Sequence, residues 1–178
     1  MKKMLADERR TLLLDMLKNS HQPITGAELA AKTNVSRQII VGDITLLKAK
    51  NEPIIATSQG YLYMQAASQN VQVERTIACN HTPENTEEEL NILVDQGVTV
   101  KDVRIEHPVY GDLTASIMVS NRREVKQFME KIHNTNAGYL SELTEGIHLH
   151  TIVAPTERAL DEAEKVMRSA GFLIDISE

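Results

Sequence analysis

The stretch that decides the fold of the first part of the chain runs from Thr25 to Lys50, TGAELAAKTNVSRQIIVGDITLLKAK. Thr25 followed by Glu28 has the spacing of a capping box, in which each residue satisfies the other's free backbone N–H at a helix start. The helix it opens is short, with Leu29 and Ala30 as its buried side. Residues 32–35 read as a turn. Ser36 then caps a longer helix that runs to about Lys50. Ile40, Ile44 and Leu47 fall on one apolar face, at i, i+4 and i+7. Arg37, Gln38, Asp43, Lys48 and Lys50 are left outside it.

Upstream, residues 6–19 read as a helix with Leu12, Leu13, Met16 and Leu17 on its apolar side, ended by Asn19, Ser20 and Pro23. Downstream, two β-prone runs at 54–57 and 61–64 are joined by Ser58-Gln-Gly60 as a hairpin turn. Helix, helix, tight turn, helix and β-ribbon is the order of a winged helix-turn-helix. That unit presents the first residues of its last helix to base edges in the major groove. Here those residues are Ser36, Arg37 and Gln38. Arg can take guanine bidentately, and Gln can take adenine. Thr25, Lys48, Lys50 and the wing-tip residues Ser58 and Gln59 join them as expected DNA contacts, the lysines and the wing tip through phosphates.

Charge supports this reading once the chain is divided. The 178 residues carry a net charge of −6. Residues 1–66 hold nine Lys/Arg against six Asp/Glu, a net of +3, and residues 67–178 hold ten against nineteen, a net of −9. Such asymmetry points to two units with different partners. The expected domains are 1–66 and 67–178, with the small polar segment 65–70 as linker. One cysteine, Cys79, excludes an internal disulfide and suits a cytoplasmic protein. No apolar run follows the charged residues 1–10, so no signal peptide is read there, and no stretch is long enough for a membrane span. Aromatics make up only 3% of the chain, too few for a base-stacking platform for single strands.

The second unit reads as strand (71–81), helix (83–96), strand (98–106, slipping phase near Asp102), turn (107–111), strand (113–119), helix (121–133), strand (147–153), helix (156–170) and strand (172–176). That order suggests an α+β layer, with helices on one face of a mostly antiparallel sheet. Histidines carry its chemistry. His148 and His150 lie two apart in a strand and so share a face, with Leu149 expected to point the other way, into the core. Two imidazoles at that spacing can share a divalent metal. His81, at a strand–helix junction, is a third candidate. A carboxylate from Glu87, Glu88 or Glu89 is a fourth, and spacing does not choose among them. Three imidazoles and a carboxylate suit Zn, Ni, Fe or Mn. Cys79 reads as a small buried residue instead of a ligand. In the turn 107–111, His107 and Tyr110 are candidates for lining a small-ligand pocket. No nucleophile-like serine turn and no phosphate-binding glycine loop is present. A metal site can activate water, but no general base is evident beside it, so the chain is not read as an enzyme.

The residues 35–50, with Pro-Ile-Ile-Ala-Thr57 and Gly-Tyr-Leu62 after them, resemble the reading head of niacin-responsive (NiaR-type) repressors. Glu106-His-Pro-Val-Tyr-Gly-Asp112 and Leu143-Thr-Glu-Gly-Ile-His-Leu-His-Thr-Ile152 resemble their three-histidine (3H) effector domain. The likeness covers nearly the whole chain. It implies an HPr-like second domain, a homodimer on double-stranded operator DNA, and repression of genes for NAD biosynthesis and niacin uptake. It also implies nicotinic acid as co-repressor and a transition metal held by His81, Glu89, His148 and His150. Two positions depart from the pattern, Asn51 and Val98, where glycines are expected. The competing reading is a metal-sensing regulator with no organic effector.

Overall fold

The computed structural model describes residues 4–65 and 71–174. The chain divides into two compact units, Met1–Ser68 and Gln69–Glu178. The linker expected at 65–70 falls, apart from Gln65, outside the described residues.

The first unit contains α1 (Ala6–Lys18), α2 (Gly26–Thr33), α3 (Arg37–Ala49) and a hairpin of β1 (Ile54–Thr57) and β2 (Gly60–Tyr63). Its local punctuation is chemical. The Thr25 hydroxyl accepts from the Glu28 N–H, and the Glu28 carboxylate accepts from the Thr25 N–H at 2.8 Å, closing the capping box. The Ser36 hydroxyl accepts from the Ile39 N–H and starts α3. Asn51 has φ +64°, the left-handed conformation that glycine or asparagine takes most cheaply after a helix, so it replaces the expected glycine without changing the turn. Gly60 has φ +127°, and a Cβ there would stand 2.6 Å from the Ile24 carbonyl. Its absence lets Ile24 and Tyr61 exchange both backbone hydrogen bonds, at 2.9 and 2.8 Å, and ties the wing to the segment before α2.

Leu13, Leu17, Leu29, Ile40, Ile44 and Leu47 make the core of this unit. Asp43 does not lie outside α3 as its charge suggests. It falls at i+3 from Ile40, inside the apolar stripe, and is buried. Arg9 on α1, itself buried, meets it with Nε at 2.6 Å from Oδ2 and Nη2 at 3.3 Å from Oδ1, and Arg10 Nη1 adds a contact at 3.2 Å. This ion pair fixes α1 against α3.

The second unit runs β3 (Val73–Asn80), a 3-10 turn (Pro83–Asn85), α4 (Thr86–Asp95), β4 (Thr99–His107), β5 (Gly111–Ala115), α5 (Arg122–Thr135), a second 3-10 segment (Leu140–Thr144), β6 (Ile147–Ala154) and α6 (Glu157–Ser169). The strands form one antiparallel sheet in the order β3-β6-β4-β5. Leu90 and Leu93 of α4, Val125 and Met129 of α5, and Leu160 and Met167 of α6 pack with Ile77, Val100 and Ile152 from one face of that sheet.

Four expectations need correction. The helix read from Pro83 begins as a 3-10 turn and becomes α-helical only at Thr86. The strand read over 113–119 ends at Ala115. Met118 takes a positive φ of +51°, and only Val119 pairs again, with Val100. Of the strand read over 172–176, the described residues hold a single bridge, Leu173 to Cys79, and residues 175–176 lie outside them. Leu149 faces away from the helices and is 37% exposed, while His148 and His150 point into the covered side.

Replacing Asp43 with alanine strands a buried guanidinium, and the expected cost is about 3–5 kcal/mol of stability. Urea unfolding of the full chain checks this. A midpoint equal to that of the unaltered protein removes the pair from its anchoring role.

Candidate functional site

Three elements bring the histidine cluster together. His81 follows the end of β3, His148 and His150 lie on β6, and Glu89 sits in the first turn of α4. Glu89 shares the inner stripe of α4 with Thr86, Leu90, Leu93 and Val94 and is only 1% exposed, whereas Glu87 and Glu88 are exposed. Helical phase therefore separates the three glutamates. The position of Glu89 four residues before Leu93 was the available signal.

All three imidazoles turn Nε2 toward the Glu89 carboxylate. His81 Nε2 lies 2.7 Å from Oε2, and His148 Nε2 and His150 Nε2 lie 3.0 and 3.3 Å from Oε1. Their other nitrogens are taken. His81 Nδ1 bonds the Thr82 carbonyl at 2.8 Å, His148 Nδ1 the Gly146 carbonyl at 2.7 Å, and His150 Nδ1 the Asp102 carbonyl at 2.7 Å. A carbonyl oxygen can only accept, so each Nδ1 must carry the proton. In a neutral ring Nε2 is then a bare lone pair aimed at a carboxylate. Consistent with this, His81 Nε2 and His150 Nε2 are buried without a hydrogen-bond partner. Lone pairs facing lone pairs need a cation between them, either protons or a metal ion. Backbone partners on the far nitrogens are also what orients histidines that ligate metals.

The backbone is shaped for this convergence. Gly146, at φ +99°, leaves no room for a Cβ, which would collide with the His81 carbonyl. The start of β6 can thus lie against the end of β3. A register shift in β4 between Val100 and Asp102 presents the Asp102 carbonyl to His150, and the Asp102 carboxylate accepts from the Thr151 N–H at 3.0 Å. Bulges of this kind re-aim groups beside functional sites.

The electrostatics follow. Burial works against charge on His81 and His150, but the neighbouring Glu89 carboxylate outweighs it and raises both pKa values. Burial alone would raise Glu89. The charge of His150, and the Nε2–H groups that His148, His150 and His81 offer when protonated, instead hold it well below the usual carboxylate range. Cys79 is fully buried beside them, and desolvation, with Glu89 next, pushes its thiol pKa up.

A cavity of about 160 Å³ adjoins the cluster. His81, Glu89, His148 and His150 form one wall, and Val103, Phe128, Ile132 and Tyr139 are among the residues that close it. Phe128 and Ile132 belong to α5. They are half-buried because they line this space. Tyr139, on the connection after α5, carried no sequence signal. His107 and Tyr110 do not line the cavity. They sit at the β4–β5 turn, where His107 Nδ1 accepts from the Val109 and Tyr110 N–H groups and Tyr110 is 75% exposed.

In the first unit, Ser36, Arg37 and Gln38 are exposed at the start of α3. Gly26, next to the half-buried Thr25, packs beside the Arg37 side chain and the Tyr61 ring, so the start of α2, the start of α3 and the wing strand meet. Ser58 and Gln59 form the β1–β2 turn. Lys48 and Lys50 are exposed at the far end of α3, roughly 15–20 Å along its axis from Arg37.

Fold and site together define a helix-turn-helix unit followed by an α+β unit with a buried histidine–carboxylate cluster. Residues 9–62 match the family described as HTH domain, and residues 74–176 match the 3H domain. The chain is 62% identical to "Transcription repressor NadR" of Bacillus subtilis (strain 168), over 97% of this chain and 96% of that protein. It is 38% identical to "Probable transcription repressor NiaR" of Thermotoga maritima, over 97% of each. The chain belongs to this family of 3H-domain transcription repressors. No helix among the described residues is long and apolar enough to cross a membrane.

The metal-free cluster has a definite pH signature. The depressed Glu89 contributes stability above its ordinary value of 4.5, and the raised His81 and His150 contribute below their ordinary value of 6.5. In chelator-treated protein both contributions are complete between those values. Stability is expected to fall as pH drops through the lowered Glu89 pKa and as it rises through the raised histidine pKa values. Urea unfolding against pH, with Glu89→Gln as the variant that flattens the profile, measures this. An identical profile in the variant overturns the coupling.

Proposed function

We propose that this repressor binds double-stranded operator DNA through residues 1–66 and holds a divalent transition metal and nicotinic acid in residues 67–178, with nicotinic acid acting as co-repressor at genes of NAD biosynthesis and niacin uptake. The observation that carries the reading is the set of three Nε2 atoms directed at one buried carboxylate beside a cavity. His81, Glu89, His148 and His150 are the proposed ligands, and their donor set suits Ni, Zn, Fe or Mn. When bound, the metal supplies a fixed positive charge for the carboxylate of the effector or a coordination position for its pyridine nitrogen. The size of the cavity supports a ligand of one ring, because an apolar cavity of ~150 Å³ takes up benzene. Phe128, Ile132 and Tyr139 would hold the ring and exclude water. The effector is therefore assigned to this cavity and not to the turn of His107 and Tyr110.

On the DNA side, Ser36, Arg37 and Gln38 are the proposed contacts at base edges, supported by their exposure at the start of α3. Thr25, Ser58 and Gln59 are assigned to the flanking backbone, and Lys48 and Lys50 to phosphates farther along. The protein acts as a cytoplasmic homodimer, since operators are usually read as paired half-sites. Nicotinic acid represses if it binds the DNA-competent arrangement more tightly than the other.

Fluorescence anisotropy of metal-loaded protein on the operator of a niacin gene, at fixed salt, tests this. Nicotinic acid is expected to tighten binding and nicotinamide to leave it unchanged, with His148→Ala losing the response but keeping basal affinity. A response to chelation with none to either pyridine overturns the co-repressor and leaves a metal sensor. Arg37→Ala is expected to weaken specific binding by about 1–3 kcal/mol without touching the nicotinic acid response. Unchanged operator affinity in that variant removes Arg37 from base reading.

A further inference from the structure

The four proposed ligands leave out a fifth donor beside them. Cys79 is the chain's one cysteine and has no exposed surface. It stands on β3 directly opposite His148 on β6, and its side chain lies on the helix-covered face of the sheet. Its Sγ, a carboxylate oxygen of Glu89 and a ring nitrogen of His148 all lie within 4.8 Å of one another. Independently, His81 Nε2 and His150 Nε2 are buried, lack a hydrogen-bond partner and point at that same carboxylate. A buried cysteine is ordinarily a small hydrophobe. This one has a carboxylate and an imidazole within reach instead of apolar neighbours alone, so its sulfur faces the place where a cation is needed.

We propose that Cys79 is a further ligand of the metal, making the donor set three imidazoles, one carboxylate and one thiolate. The inference rests on the metal reading above and extends it. A thiol that coordinates a metal loses its proton to solvent outright, whatever its affinity for that proton in the free protein. The chemical consequence is selectivity. A soft thiolate favours zinc and other thiophilic ions, and disfavours manganese, which suits oxygen donors.

Cobalt(II) tests this, as an optical stand-in for zinc. Metal-free, full-length protein is titrated with cobalt and its absorption recorded. Thiolate ligation produces an intense near-ultraviolet sulfur-to-cobalt band, which nitrogen and oxygen donors do not. The band is expected to grow in the unaltered protein and to vanish in Cys79→Ser. The weaker visible bands should persist in that variant, with affinity reduced about tenfold or more. Serine keeps the size and the hydrogen-bond donor, so a sulfur that merely positions Glu89 produces no such band in either protein. Visible bands without the near-ultraviolet band in the unaltered protein overturn Cys79 as a ligand and leave the three-histidine site standing. No cobalt binding at all overturns both. X-ray absorption on the zinc-loaded, unaltered protein makes the result independent of whether the variant folds. A sulfur shell at ~2.3 Å is expected, and nitrogen and oxygen scatterers alone overturn the proposal.

Discussion

A carboxylate taken out of water has to be met by positive charge, because an unpaired buried ion costs several kcal/mol even after its surroundings relax. Glu89 is such a group, and the arrangement of the second unit follows from it. The groups gathered around its oxygens are His148 and His150, on β6, and His81, just past the end of the neighbouring β3 and 67 residues before His148. Bringing them to one point requires a glycine at 146, where a side chain would strike the His81 backbone, and a shifted register in β4 that turns a carbonyl toward His150. These irregularities make sense as supports for the cluster. They have no evident use in an apolar core.

The first unit buries an acid on a helix too, and the comparison is instructive. Asp43 is paired with Arg9, whose planar guanidinium offers two nitrogens to the two oxygens. That pair is complete as it stands and serves as an anchor between α1 and α3. Glu89 is surrounded instead by imidazoles whose Nδ1 protons are already committed to carbonyls. They face it with lone pairs unless a cation intervenes. The same problem of a buried acid is therefore closed in one unit and left open in the other, and the open one adjoins the cavity.

Much of this was legible residue by residue. Helix caps are local, so Thr25 and Ser36 announced α2 and α3, and the +3 charge of residues 1–66 agreed with a DNA-reading unit. The alternation of a strand placed His148 and His150 on one face. It did not tell which face the helices cover, and Leu149 was assigned to the core although it lies outside it. The glutamate run 87–89 was ambiguous by spacing, yet helical phase against Leu93 separates Glu89 from its neighbours. Asp43 was taken for a surface charge because its partner is 34 residues away. Tyr139 gave no signal, since it lies on an irregular connection and reaches the cavity lining only where that connection folds back on α5, its hydroxyl meeting the Met129 sulfur.

By itself the sequence determined the order and type of most elements, and it marked the histidines that the structure gathers around one carboxylate. Those properties depend on caps, turns and periods of 3.6 and 2, which act over a few residues. Tertiary structure alone decided which face of the sheet is dry, which carboxylate meets the imidazoles, that a cysteine sulfur lies beside them, and where the cavity opens. Each depends on which strands pair and which helices cover them, a matter of long-range packing that no short window of the chain contains.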